Sequence, residues 1–428
     1  MSQAYLKIEN PGVAMPEAFT LLGASTKSDS GRVIGKFGSG GKHSVSLLLR
    51  RNLAPIVFSG NLKMEFGTRK QTVNDGIKDR GFDRVVVKYS GKDAEGKSRT
   101  STEDLGYVLS YGAQDWTDPA MALREFVSNS IDRAIEEGEV RFVIDYCKKN
   151  PGLPADVHQW TDEQKAELKE ALEAYQTTAR DYLDVVVEVV NENQVRAKAG
   201  TTRIFVPLSE EVLKFHNALG KWFLHFSEPD NLDKKILEKS NRNLTDRKAA
   251  VVYRKGVRVR EFESNDTPSM FDYNLDDLAM DEARKVDDWR IRQAAAMAVR
   301  DASKEQLAGL MASFSGRRLW EHDFDHYGLE TNWSDTKETI AARSVVWQEA
   351  FKAVGGDSGV MATADGGEIA VRKGYKVLSA PEAFVKAAGM YGVKTAEKVL
   401  SQDDRDGREV FDATPDALSA LEFVWGVV

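Results

Sequence analysis

Apolar residues recur along this chain with two periods, and the two periods mark out its elements. A period of two, which sends successive side chains to opposite faces of a strand, runs through residues 4–8, 55–59, 62–66 and 84–89. It returns at 182–190, 202–206 and 249–262, where Val251, Tyr253, Val257 and Val259 are the expected core positions. A period near 3.6 predicts a short helix over 16–22 and a second beginning at about Gly41. The clearest helix starts at Asp118 as N-cap with Pro119 at N1, and its apolar stripe is Leu123, Phe126, Val127, Ile131, Ala134 and Ile135. Residues 160–181 read as a charged surface helix opened by Thr161, and 210–240 as helical. Residues 281–302 read as a long helix with Trp289, Ile291, Ala294, Ala295 and Val299 inward. From 344 onward strand and helix alternate over 359–363, 368–373, 376–379, 381–390 and 395–400, the pattern of a small α/β domain.

Composition narrows the class. The 428 residues exceed one ordinary domain, and 42% hydrophobic with 29% charged residues fit a globular chain with real cores. A formal net charge of −8 gives no sign of broad nucleic-acid binding, although a local basic groove stays compatible with it. The single cysteine, Cys147, excludes an internal disulfide and fits a reducing compartment. No signal-peptide pattern opens the chain and no apolar run approaches a membrane span, so the expected location is the cytoplasm.

Two stretches carry candidate chemistry. Residues 34–44 (IGKFGSGGKHS) form a glycine-rich loop ending in lysine, a composition that lets backbone N–H groups and a cation approach phosphates. Residues 124–134 (REFVSNSIDRA) place Glu125, Asn129 and Asp132 at helical spacing, so an acid, an amide and a second acid share one face. Taken singly, the first also describes a flexible loop and the second a solvated helix face. His322 and His326, with Asp323 and Asp325 between them, have helical metal-ligand spacing but equally describe a polar surface turn.

Together the stretches resemble the GHKL ATPases, the superfamily of gyrase B subunits, heat-shock chaperones, histidine kinases and MutL proteins. Glu125 and Asn129 match that family's Glu-x-x-x-Asn helix. Asn10-Pro11-Gly12-Val13-Ala14-Met15 resembles its Asp-x-Gly-x-Gly turn. Gly23, Ser25, Thr26 and Lys27, followed by Gly35, Lys36, Phe37, Gly38, Ser39, Gly40, Gly41 and Lys42, resemble its lid and third motif. Gly200-Thr201-Thr202 resembles the threonine strand that closes the adenine pocket. The usual motif order is changed, because the Glu/Asn helix here follows the other motifs, and a circular permutation restores the same arrangement in space. Asn10 stands where the family has an acid, with Glu9 beside it.

The resemblance implies an α+β chain. Residues 1–210 would form a two-layer α/β sandwich, the Bergerat-type ATP-binding fold with permuted motif order and a helical insertion at about 144–181. A ribosomal-S5-like transducer would cover 211–343, and a small C-terminal α/β domain 344–428. It implies ATP and Mg²⁺ as ligands, with Glu125 as general base and Asn129 on the metal. Asn10, Gly12, Ala14, Ser25, Thr26, Lys27, Gly35, Phe37, Gly38, Ser39, Gly40, Gly41, Lys42, Asp132, Thr201 and Thr202 would surround the nucleotide, and Arg284 or Lys285 would reach the γ-phosphate. The implied activity is a slow ATPase acting as a conformational switch, compatible with a homodimer and with no client or partner specified. The competing reading is a nucleotide-regulated scaffold that holds ATP without hydrolysing it.

Overall fold

The structure is a computed structural model, and it describes residues 3–20, 34, 40–74, 76, 78–93, 95–110, 116–154, 156–239, 249–262, 267–280, 285–316, 318–332 and 334–402. They fall into two compact units. One takes Met1–Leu232, Lys255–Arg258 and Met280–Lys285; the other takes Asp233–Arg254, Val259–Ala279 and Val286–Val428. The class is mixed α and β with mainly antiparallel sheets.

The first unit holds β1 (Ala4–Pro11), α1 (Glu17–Thr20), α2 (Gly40–Arg50), β2 (Ile56–Ser59), β3 (Leu62–Asn74), β4 (Asp79–Lys92) and β5 (Ser98–Val108). It continues with α3 (Pro119–Lys149), α4 (Asp162–Thr178), β6 (Val186–Asn191), β7 (Thr201–Pro207), α5 (Glu210–Asn217) and the short helices α6 (Leu219–Trp222) and α7 (Leu224–Ser227). Its seven strands form one antiparallel sheet in the order β5-β4-β3-β2-β7-β1-β6. Leu6, Ile8, Val57, Met64 and Val87 point to one face of it, where they share a core with Val45 and Leu48 of α2 and Leu123, Phe126 and Ile131 of α3. The opposite face carries a small cluster around Phe58, Val190 and Phe205.

Local signals placed most helices well. Asp118 caps α3 by accepting the Ala120 N–H at 2.9 Å, and Thr161 with Gln164 closes a capping box on α4. The expected stripe of α3 is buried throughout. Elsewhere the sequence reading needs correction. Residues 181–184 are a 3-10 turn, so β6 begins only at Val186. The pairing of β3 with β4 continues to Asn74 and Asp79, and β5 was not foreseen: its burial is irregular because much of it lies beyond the core.

The second unit holds β8 (Ile236–Glu238), β9 (Val251–Arg254), most of β10 (Val257–Glu261, of which Val257 and Arg258 are grouped with the first unit) and β11 (Phe271–Asn274), which make a sheet of order β10-β9-β11-β8. Lys255 and Gly256, both at positive φ, turn the β9–β10 hairpin. Its helices are α8 (Asp288–Arg300), α9 (Lys304–Ser313), α10 (His326–Leu329), α11 (Lys337–Gly355), α12 (Glu368–Arg372) and α13 (Glu382–Met390). Two parallel strands, β12 (Gly359–Ala362) and β13 (Lys376–Ser379), complete it. Thus 210–240 is helical, in short pieces, only as far as a 3-10 turn at Pro229–Asn231 before a strand intervenes. Within 281–302 the helix is Asp288–Arg300, and Trp289 is 59% exposed, since it sits two residues from Ile291 and therefore on nearly the opposite side. In β9 the buried positions are Val252 and Tyr253, while Val251 is only half-buried.

Candidate functional site

The turn after β1 is the best-fixed part of the candidate site. β1 and β7 pair so that Asn10 faces Thr202 and Pro11 faces Thr201. The Thr202 hydroxyl donates to the Gly12 carbonyl at 2.8 Å and accepts the Ala14 N–H at 2.8 Å. The Gly12 N–H donates to the Gly200 carbonyl at 2.9 Å, and the Ser59 hydroxyl donates to the Ala14 carbonyl. Gly12 holds φ at +85°, and a Cβ there would meet the Glu137 side chain of α3, so the turn lies directly against that helix. Only glycine accepts both conditions easily.

Strand alternation decides between the two polar residues that precede this turn. Asn10 is buried on the same face as Leu6 and Ile8, and its side-chain N–H donates to the Pro11 carbonyl at 2.7 Å. Glu9 points the other way, into an ion cluster with Lys7 at 3.1 Å, Arg203 at 3.0 Å and Lys198 at 2.5 Å. Burial pushes its pKa up, but these cations outweigh burial and hold it below the usual carboxylate value. Glu9 is therefore engaged by three cations on the face opposite to Asn10.

On α3 the polar face is not solvated. Glu125 is 5% exposed and Asp132 1%, with Asn129 half-buried between them. Arg124 donates to Glu125 Oε1 at 3.3 Å, a buried pair on adjacent residues. Asp132 Oδ1 accepts the Ile34 N–H at 2.6 Å. Ile34 is the residue at which the glycine-rich segment begins, so α3 holds that segment's entrance. The segment's far end is also placed: Gly40 and Gly41 are buried in the first turn of α2, where the Gly40 carbonyl accepts the Ser44 hydroxyl at 2.8 Å. Lys42 follows at 2% exposure, and burial alone pulls its pKa down to about 8.

These contacts bring Asn10, Gly12, Ala14, Gly40, Gly41, Lys42, Glu125, Asn129, Asp132, Thr201 and Thr202 into one unit. Ser25, Thr26, Lys27, Gly35, Phe37, Gly38, Ser39 and Arg284 lie outside the described residues. Lys285 is exposed and is grouped with the first unit. Arg124, Ser59 and Glu137 complete the surroundings and were missed, because nothing in their local sequence distinguishes them from ordinary polar residues.

The histidine motif has structural roles instead. His322 Nδ1 accepts the Leu319 N–H at 2.9 Å, Asp323 pairs with Arg318 and Arg292, and Asp325 caps α10. Among the described residues no group of three His, Cys, Asp or Glu side chains is placed to hold a metal ion. Among the same residues no helix is long and apolar enough to cross a membrane. No protein-family model, no curated protein and no solved structure matches the chain.

Proposed function

We propose that the first unit binds ATP with Mg²⁺ and hydrolyses it slowly, as a conformational switch of the GHKL type in a permuted chain. The observation that carries this reading is the Asp132–Ile34 hydrogen bond, which joins the acid-and-amide helix to the entrance of the glycine-rich segment. The Thr202 bridge to Gly12 and Ala14 adds the expected closeness of the threonine strand to the turn.

The roles follow from residue chemistry. The Asn129 side-chain oxygen would be the protein's ligand to a Mg²⁺ whose other positions go to phosphate oxygens and water, which is how that ion is usually held. Bound there, the ion would neutralise charge between the phosphates. In this reading the start of α2 would present its first backbone N–H groups to an anion, and Lys42, in the first turn of α2, would supply a positive charge. Glu125 orients a water and takes its proton at the carboxylate. Arg124 already donates to that carboxylate, so the base shares its charge with a guanidinium, and turnover is accordingly slow.

The same Arg124 pairing, with Asn10 in place of an acid, favours the second reading, a scaffold that holds ATP without turning it over. Calorimetry with ATP and Mg²⁺, together with phosphate release, separates the outcomes. Expected are binding by the wild type and by Glu125→Ala, and phosphate release by the wild type alone. Binding without release by the wild type establishes the scaffold. A wild type that binds no ATP ends both readings.

A further inference from the structure

We propose that the free edge of β6 pairs with the same edge of a second copy of this chain, joining two sheets about a two-fold axis. β6 ends the seven-stranded sheet and pairs only with β1. Register shows which of its groups face outward. The Ala4 carbonyl accepts the Leu208 N–H at 2.8 Å, so even-numbered residues of β1 address β7 and odd-numbered ones address β6. Tyr5, Lys7 and Glu9 therefore bond to Val190, Glu188 and Val186. Val187 and Val189 turn their N–H and C=O groups away from β1, and among the described residues no hydrogen bond reaches them.

The side chains of this edge are unguarded. Edge strands are ordinarily protected by charges, by proline or by a covering element. β5, at the other edge of the sheet, carries Arg99, Glu103 and Asp104. β6 has one charged residue, Glu188, and Lys7 of β1 holds its carboxylate at 2.5 Å. Val189 lies opposite Leu6 on the core face, yet it is 40% exposed while Leu6 is fully buried. The core face thus ends in a β-branched side chain with no strand beyond it. Val186, on the other face, is 39% exposed.

The strand is its own complement. An axis at Val189 sets Val189 against its copy and Val187 against Asn191, with Glu188 facing Val190 between them. The Val189 N–H of each copy then donates to the other's Val189 carbonyl, and each Val187 N–H to the other's Asn191 carbonyl. The Asn191 N–H is not called upon, since Gln194 Oε1 already accepts it at 3.1 Å. An axis at Glu188 would set two carboxylates face to face. An axis at Val187 would need the Val185 N–H, which the Tyr182 carbonyl accepts at 3.2 Å. A net charge of −8 drives copies apart, so they meet best where charge is cancelled within the chain, as Lys7 cancels Glu188. Two-fold pairing occupies this edge in both copies, and assembly stops at a dimer. The inference is independent of the ATP reading.

Sedimentation velocity of the full chain over a range of concentrations tests the proposal. A concentration-dependent dimer is expected, and amide exchange at Val187 and Val189 should slow as it forms. Val189→Pro removes an outward donor without touching the bonds to β1. It should weaken the dimer about thirtyfold, through the two hydrogen bonds lost at the axis. Val189→Lys sets like charges against each other there and should leave only monomer. Thr102→Lys, exposed on β5 at the opposite edge, should change nothing. Unaltered melting curves would verify each fold, and if the proline disturbs folding the lysine variant decides alone. A wild type that stays monomeric overturns the proposal. So does a dimer that keeps its affinity in the Val189 variants, one lost equally with Thr102→Lys, or growth beyond a dimer.

Discussion

Asp132 accepts the backbone N–H of Ile34 at 2.6 Å, across 98 residues of chain. Both residues are buried, so the bond is not shared with water, and a carboxylate acceptor makes it stronger than a neutral one. Asp132→Ala leaves a buried amide without its acceptor, at a cost of about 1–3 kcal/mol, and loosens the entrance to the glycine-rich segment. Urea denaturation should show the reduced stability and, if the proposed function holds, calorimetry a weaker affinity for ATP. Asp132→Asn retains an acceptor and should recover most of both. An alanine variant as stable as the wild type would show that the hydrogen bond contributes nothing.

Gly12 is constrained twice, by its positive φ and by the Glu137 side chain. Gly12→Ala should lower stability by about 1 kcal/mol through backbone strain, with a further loss from the clash. Glu137→Ala in the same chain removes the clash but not the strain. Thermal melts of the two single variants and the double should therefore show partial rescue. Full rescue would mean that the φ constraint is unimportant, and no rescue that the side chains do not meet.

Glu321 is fully buried in the second unit and gathers the chain entering β11. It accepts from the Ser269 hydroxyl at 2.6 Å, the Met270 N–H at 2.9 Å and the Tyr273 hydroxyl at 3.0 Å. Burial raises its pKa in spite of these donors. Glu321→Ala abandons several buried donors at about 1–3 kcal/mol each and should destabilise severely. Glu321→Gln keeps a carbonyl oxygen in place and should cost much less. If the two variants unfold at the same denaturant concentration, the hydrogen bonds are not what the residue supplies.

His225 lies edge-on to the Tyr182 ring, with ring centroids 5.1 Å apart, and burial lowers its pKa from 6.5 to about 4. Between those two values the unfolded chain binds a proton that the folded chain does not. Stability is therefore full above pH 6.5 and falls as the pH drops toward 4, by about 3 kcal/mol in all. His225→Leu should flatten that part of the stability profile. A wild-type profile unchanged across the window would contradict the assignment.

Whatever rests on neighbours in the chain could be read from the sequence before any fold was known. Asp118 and Pro119 start α3, Thr161 and Gln164 start α4, and the stripe from Leu123 to Ile135 is buried as its period required. Capping and periodicity act within a few residues, so they are legible without a fold. The candidate residues of α3 and of the Asn10–Ala14 turn were legible as motifs too, but not their surroundings. It took the folded arrangement to settle that Glu9 is spent on Lys7, Lys198 and Arg203 while Asn10 faces inward, and that Lys42 and Glu125 are buried. The fold also settles that β3 and β4 outrun the core and that β6 ends the sheet with Val189 exposed. One cause underlies each case. Burial, ion pairing and strand register depend on partners distant in the chain, and a polar residue carries no local mark of which partner the fold will bring to it.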